Sequence, residues 1–183
     1  PKCQASAAKR WLAARKTQLL PVDYYHVVFT LPAAISQLAF YNKADVYGLL
    51  FSAAAQTLTT IARDPKHLGA DIGATMVLHT WGSAMTHHPH VHCIVPGGGI
   101  SADKQTWQAC KTGYFLPVKV LSRLFRRLFV TGLRQLCAQG RLQFFGELSG
   151  LSSPSRFDKW CTEERAYRDT HRKKSDYCTK RET

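Results

Sequence analysis

The chain has 183 residues, is 45% hydrophobic, and sets 25 Lys and Arg against 12 Asp and Glu, for a formal charge of +13 and a pI near 9.8. This is enough apolar material for one good core, and the charge suits a polyanionic partner, with a membrane surface as the alternative. No apolar run approaches a membrane span, the opening P-K-C-Q-A-S-A-A-K-R is not a signal peptide, and six scattered cysteines without a C-x-x-C point to reduced cytoplasmic thiols.

Residues Pro1 to Leu20 read as a basic helix, with Trp11 and Leu12 for packing and Lys9, Arg10, Arg15 and Lys16 for solvent or phosphate. Tyr24 to Leu31 is rich in aromatic and β-branched residues between prolines and reads as a strand. His26 falls on it, and a core or edge place is expected for that ring over one on an active face. From Ala33 to Ala62 the pattern is helical, with a break near Asn42, and Asp64-Pro65 ends the helix.

Ile72 to Ser83 reads as a second strand carrying Val77, His79 and Trp81 on one face. Then comes the densest chemistry in the chain: T-H-H-P-H-V-H-C-I-V-P-G-G-G, from Thr86 to Gly99. On a strand, His90 and His92 project from one face and Val91 and Cys93 from the other. Two imidazoles side by side on a rigid strand supply half of a divalent-metal site, with His79 as a candidate third ligand and a structural histidine as its alternative. His87 and His88 precede Pro89, which places them in the loop entering the strand, in reach of substrate or solvent. The glycine tail lets another backbone come close. Ser101 to Lys104 reads as a turn, followed by a strand pair near Thr106 to Leu116.

Val118 to Gly140 is a basic amphipathic helix. Val120, Leu121, Leu124, Phe125, Leu128, Phe129, Leu133 and Leu136 form its buried face, and Lys119, Arg123, Arg126, Arg127 and Arg134 its charge. No acid lies in that segment, so these cations are expected to follow a phosphate backbone without reading bases. Leu142 to Phe145 reads as an edge strand, Ser152 to Ser155 as a linker or cap, and the stretch from Trp160 as too charged to pack.

His-hydrophobic-His on a strand is the mark of the HUH nucleases, and longer blocks narrow the likeness. H-V-V-F-T-L-P (His26 to Pro32), D-P-K-H-L-G-A (Asp64 to Ala70), L-H-T-W-G-S-A (Leu78 to Ala84), H-H-P-H-V-H-C-I-V-P-G-G-G (His87 to Gly99) and F-L-P-V-K-V-L-S-R-L-F-R (Phe115 to Arg126) occur in collinear order. Over about Pro1 to Asp158 the chain resembles the rolling-circle transposases of the insertion sequence 91 family. The likeness implies an HUH/Rep-like α+β fold: a central antiparallel sheet carries the His-hydrophobic-His strand, and helices pack on one face. It implies a Mg or Mn ion on His90 and His92, single-stranded DNA as partner with no membrane and no small-molecule substrate, and a location with the bacterial nucleoid. It also implies attack by a tyrosine hydroxyl on a DNA phosphate, giving a 5′-phosphotyrosyl intermediate and a free 3′-hydroxyl. His87, His88, Lys9, Arg10, Arg15 and the cations from Lys119 to Arg134 are the candidate DNA contacts.

Two family features depart from pattern. The opening P-K-C is similar to the close of a Cys-rich zinc module, of which only Cys3 is present, so residues 1–20 are expected to be a remnant without zinc. The family's two tyrosines, Y-x-x-x-Y-T-H-R, would fall at Arg165 and Asp169, leaving Tyr167 and Tyr177 as stand-ins that do not match. The expected division is therefore a remnant (1–20), a nuclease-like core (21–158), and a charged tail (159–183), unstructured or frame-shifted. Activity in such a chain is expected to be weak or absent. The rivals are a single-stranded nucleic-acid binding module without catalysis and, ranked lower because no Asp or Glu lies between Asp71 and Asp103, a metal-dependent hydrolase.

Overall fold

The computed structural model describes residues 2–82, 85–170 and 180–182, with side chains described for 4–82 and 85–163. Helix α1 (Lys2–Lys16) leads to strand β1 (Tyr24–Thr30) and the helices α2 (Ala33–Tyr41) and α3 (Lys43–Arg63). Strands β2 (Ala70–Asp71), β3 (Thr75–Trp81), β4 (His87–Pro96), β5 (Gly98–Ser101) and β6 (Trp107–Ala109) follow. Helix α4 (Val118–Ala138), a 3₁₀ turn (Gly146–Ser152), α5 (Pro154–Thr170) and strand β7 (Lys180–Glu182) complete the order.

The main sheet runs β3-β4-β1-β7, with each described pairing antiparallel, and β2-β5-β6 form a smaller sheet. Alternation divides the main sheet into two faces. Tyr25, Val27, Phe29 and Leu31 of the β1 segment and Val91, Cys93 and Val95 of β4 are buried. They lie beneath α2, α3 and α4, and Phe29 meets Phe125 of α4 with ring centroids 4.7 Å apart. Cys93 is sealed in this layer, and burial pushes its thiol up to about 12. The α+β fold with helices on one face is as the sequence indicates.

The helix break at Asn42 has a purpose beyond ending α2. Asn42 is buried, its amide donates to the carbonyls of Leu38 (2.9 Å) and Gln143 (2.8 Å), and its Oδ1 accepts from the Gln143 N–H (2.7 Å). Leu142 to Phe145 therefore does not form the expected edge strand: a side-chain amide has taken the place of a neighbouring strand. The expected strand pair over Thr106 to Leu116 contracts to β6. A turn closed by the Tyr114 N–H on the Lys111 carbonyl, with Gly113 at φ 71°, then delivers Phe115 and Leu116 to the core.

His87 and His88 lie within β4, not in a loop. Just ahead of the strand the Gly82 N–H donates to the Thr86 carbonyl, and within it the Pro89 carbonyl accepts from the Leu31 N–H. The glycine tail serves the protein's own backbone: a Cβ on Gly98 would sit 2.6 Å from the Gln108 carbonyl oxygen, and one on Gly99 would collide with that of Asp71. Residues 4–20 are exposed throughout, so Trp11 and Leu12 do not pack as expected. Arg15 instead lies over the Trp11 ring at 5.9 Å. The expected boundary at residue 158 falls inside α5, which buries Phe157 and Cys161. Of the tail beyond, the backbone to Thr170 is helical and residues 180–182 pair with β1.

Candidate metal centre

The uncovered face of the main sheet gathers histidines. Val28 faces His92 and Thr30 faces His90 across β1 and β4, while His79 of β3 is the register partner of His90. One ligating nitrogen from each of His79, His90 and His92 lies within 4.8 Å of the others. Ring centroids stand 4.2 Å apart for His79 and His92, 4.9 Å for His90 and His92, and 5.4 Å for His79 and His90. His26 of β1 stacks on His92 at 4.8 Å, with its Nε2 2.6 Å from His92 Nδ1.

Hydrogen bonds set which nitrogens are available. His90 Nδ1 lies 2.6 Å from the His88 carbonyl, which can only accept, so Nδ1 carries the proton and Nε2 keeps its lone pair. His92 Nδ1 is engaged by His26. His92 Nε2 is buried and has no hydrogen-bond partner. Burial, and after it the neighbouring His79, His26 and His90, lower the His92 pKa to about 4, so the ring is neutral at physiological pH. An orphaned nitrogen on a neutral imidazole, beside two more imidazoles, fits a divalent cation: the ion would satisfy the atom that the protein leaves unpaired.

The other candidates are more scattered. His87 is held away from this cluster: its Nδ1 donates to the Ser36 carbonyl (3.0 Å) and its Nε2 accepts from the Tyr47 hydroxyl (2.9 Å). Burial lowers the His87 pKa, with Lys43 adding to it against the Ser36 bond, and burial raises that of Tyr47. His87 is thus a ring held at both nitrogens within the strand, not a loop residue in reach of substrate. His88 contributes its carbonyl to His90, and its ring lies 5.4 Å from that of His90. Lys119, Arg123 and Arg127 are exposed and Arg126 is half-buried, but α4 packs on the far side of the sheet from the histidines. Arg134 is paired with Asp158 of α5 at 2.6 Å and donates to Thr162; the acid missing from its own segment comes from the next helix. Lys9, Arg10 and Arg15 are exposed on α1. The side chain of Tyr167 and the whole of Tyr177 lie outside the described residues.

His26 lies against His92 on the histidine-bearing face, and not in the core or edge place expected for it over an active-face one. In Y-Y-H-V-V-F-T apolar residues occupy both parities, so the face of His26 is ambiguous until β4 is paired with it. The register His26↔Ile94 puts it two residue pairs from His92, and so on the same open face.

Comparison with known proteins adds three kinds of likeness. A family model described as "Putative transposase" matches residues 73–175, and one described as "Transposase zinc-binding domain" matches residues 1–31. The chain is 57% identical over 160 residues to "Putative transposase y4qJ" of Sinorhizobium fredii (strain NBRC 101917 / NGR234), covering 87% of this chain and 40% of that protein. It is 34% identical over 108 residues to "Transposase for insertion sequence element IS801" of Pseudomonas savastanoi pv. phaseolicola, covering 59% of this chain and 25% of that one. The chain thus spans well under half the length of these relatives. Among solved structures it is similar to the conjugative relaxase TrwC in complex with OriT DNA in its metal-free form, with a TM-score of 0.52 and 15% identity over 79% of this chain and 57% of that one. The zinc module's metal does not fit the residues matched here. Within 1–31, Cys3 is the only cysteine and His26 the only histidine, and His26 is engaged with His92, whereas structural zinc takes four ligands.

Proposed function

The chain belongs to this transposase family, of the insertion sequence 91 type, and on that premise we propose that it carries the metal-binding, DNA-facing core of a strand-cleaving transposase. His79, His90 and His92 hold a divalent ion, Mg or Mn, on the open face of the sheet, and a single-stranded DNA phosphodiester shares that ion. The observation that carries this reading is the buried, partnerless Nε2 of His92 beside two further imidazoles. The similarity in fold to a relaxase solved with OriT DNA supports it.

When bound, the ion polarises a scissile phosphate and offsets the charge that builds up as it is attacked. The protein's own residues do the rest. The His88 carbonyl fixes the His90 tautomer so that Nε2 faces outward. His26 orients the His92 ring through the contact of its Nε2 with His92 Nδ1, a supporting bond of the kind that tunes metal ligands. The open face admits a single strand. The cations of α1, and those of α4 around the sheet's other side, supply a sequence-independent attraction for DNA. No helix among the described residues is long and apolar enough to cross a membrane, and the partner proposed here places the protein in the cytoplasm with DNA.

Binding without cleavage is the second reading, and a specific observation favours it for this chain. The Tyr24 hydroxyl accepts from the Leu20 N–H (2.8 Å) and the Tyr47 hydroxyl is bound to His87, so neither serves as an unengaged nucleophile at the histidines. On this second reading the chain binds Mn²⁺ and DNA with weak or absent nicking. Calorimetric titration with Mn²⁺ tests the metal site: tight binding should be lost by roughly 100-fold or more in His90→Ala/His92→Ala, and equal affinity in that variant would sink the assignment. A covalent protein–oligonucleotide adduct formed with Mn²⁺ would overturn the expectation of inactivity, and peptide mapping of it would identify the nucleophile.

A further inference from the structure

Large rings are left open to solvent along one path. Trp81 at the end of β3 is 54% exposed, Phe40 44%, Tyr41 46% and Phe145 47%. They are joined through His87 in ring-to-ring steps: Trp81 to His87 at 5.9 Å, His87 to Phe40 at 5.3 Å, Phe40 to Tyr41 at 5.3 Å, and Tyr41 to Phe145 at 5.0 Å. The first three contacts are edge-on, so in each pair the ring that presents its edge keeps its faces clear of the other. The ribbon begins two residues from His79 of the metal cluster and turns around the sheet margin onto α2.

Two features argue against a plain apolar patch. His87, at the ribbon's hinge, is fixed at both nitrogens by Ser36 and Tyr47, so the rings are held in place before anything binds. Lys43 Nζ lies 5.0 Å from the Phe40 centroid, adding a cation to the aromatic surface. The acid next to Lys43 in the helix, Asp45, is neutralised by Arg141. Flat π-surfaces beside a positive charge, on a chain of formal charge +13, match a strand of unpaired bases with its phosphates.

We propose that the Trp81–His87–Phe40–Tyr41–Phe145 ribbon is a stacking track for the bases of a single-stranded DNA flanking the phosphodiester held at the histidine cluster. It rests on the reading of that cluster as DNA-facing, and it adds where the strand goes next. Bases would lie on the open ring faces with little regard to sequence, while a duplex, whose bases are already stacked, gains nothing there.

The test is fluorescence anisotropy of the full chain with a labelled single-stranded oligonucleotide of about 20 nucleotides and with its duplex. In Trp81→Ala/Phe40→Ala, single-strand affinity should fall by roughly tenfold or more, duplex affinity should hold within about twofold, and the salt slope should stay unchanged because no charge is removed. Trp81→Phe should restore most of the affinity. Phe40→Leu, which keeps bulk and removes the ring, serves if the double variant does not fold. Unchanged single-strand affinity, equal losses on both DNAs, or no binding by the wild-type chain overturns the track. So does a concentration-dependent dimer that Trp81→Ala dissolves, since a second copy would then be the occupant. Mn²⁺ titration of the same variants separates the two readings: wild-type metal affinity with lost stacking is expected, whereas absent metal binding in the wild-type chain overturns the histidine assignment and not the ring result.

Discussion

The two faces of the main sheet are built from neighbouring residues of the same strands, and they differ in what fixes each side chain. Phe29, Val91 and Cys93 are sealed in the core under helices. His26, His90 and His92, at alternate positions of the same strands, have no helix above them among the described residues and are held by hydrogen bonds to one another and to a carbonyl. The covered face makes the strands rigid. The open face uses that rigidity to hold polar rings at fixed spacing, including one nitrogen left without a partner. Stability and chemistry are thus separated by a single residue step, and substitutions on the two faces should have separable effects.

The sharpest break of this comparison is on the covered side. Phe29→Ala removes a fully buried ring that contacts Phe125 and should cost roughly 3–5 kcal/mol in urea unfolding, while the folded fraction binds Mn²⁺ as before. A metal affinity that falls along with stability would mean the faces are not independent. On the open side, His26→Ala should leave the unfolding midpoint nearly unchanged and weaken Mn²⁺ binding by roughly tenfold, because His92 loses the partner that orients it. An unaltered metal isotherm would show that His26 merely stacks.

A third expected effect is a pH dependence. His92 has a folded pKa near 4 against an ordinary value of 6.5, so below pH 6.5 the unfolded chain takes up a proton that the folded chain does not. With chelator present, this group should leave stability unaffected above pH 6.5, reduce it as the pH falls from there toward 4, and add no further loss below. His92→Ala should flatten that part of the profile. A wild-type midpoint constant from pH 7 to pH 4.5 would show that the ring is not held neutral by the fold.

Much of this was legible in the chain because a strand has period two and a helix 3.6. The alternation from Pro89 to Val95 gave the histidine pair its face, and the spacing of Leu121, Leu124, Phe125 and Phe129 gave α4 its buried side. The break at Asn42 was readable as well. What Asn42 does was not, because its partner Gln143 lies 101 residues away and carries no local sign of the bond. Distance in sequence hid the Arg134–Asp158 pair and the Tyr47–His87 bond for the same reason. His26 was missed for a different reason: flanked by apolar residues on both parities, it has a face only once a register is chosen.

The strand bearing His90 and His92 is tethered at either end. Pro89 at its start takes the Leu31 N–H, and just past its finish Gly97 donates to the Asp23 carbonyl at 2.7 Å, where even a methyl group would crowd that oxygen at 3.0 Å. A platform clamped in this manner has little play along its length. Selectivity among cations should accordingly follow ionic radius and preferred ligand number, since the guest must adapt to the seat and the seat yields little to the guest.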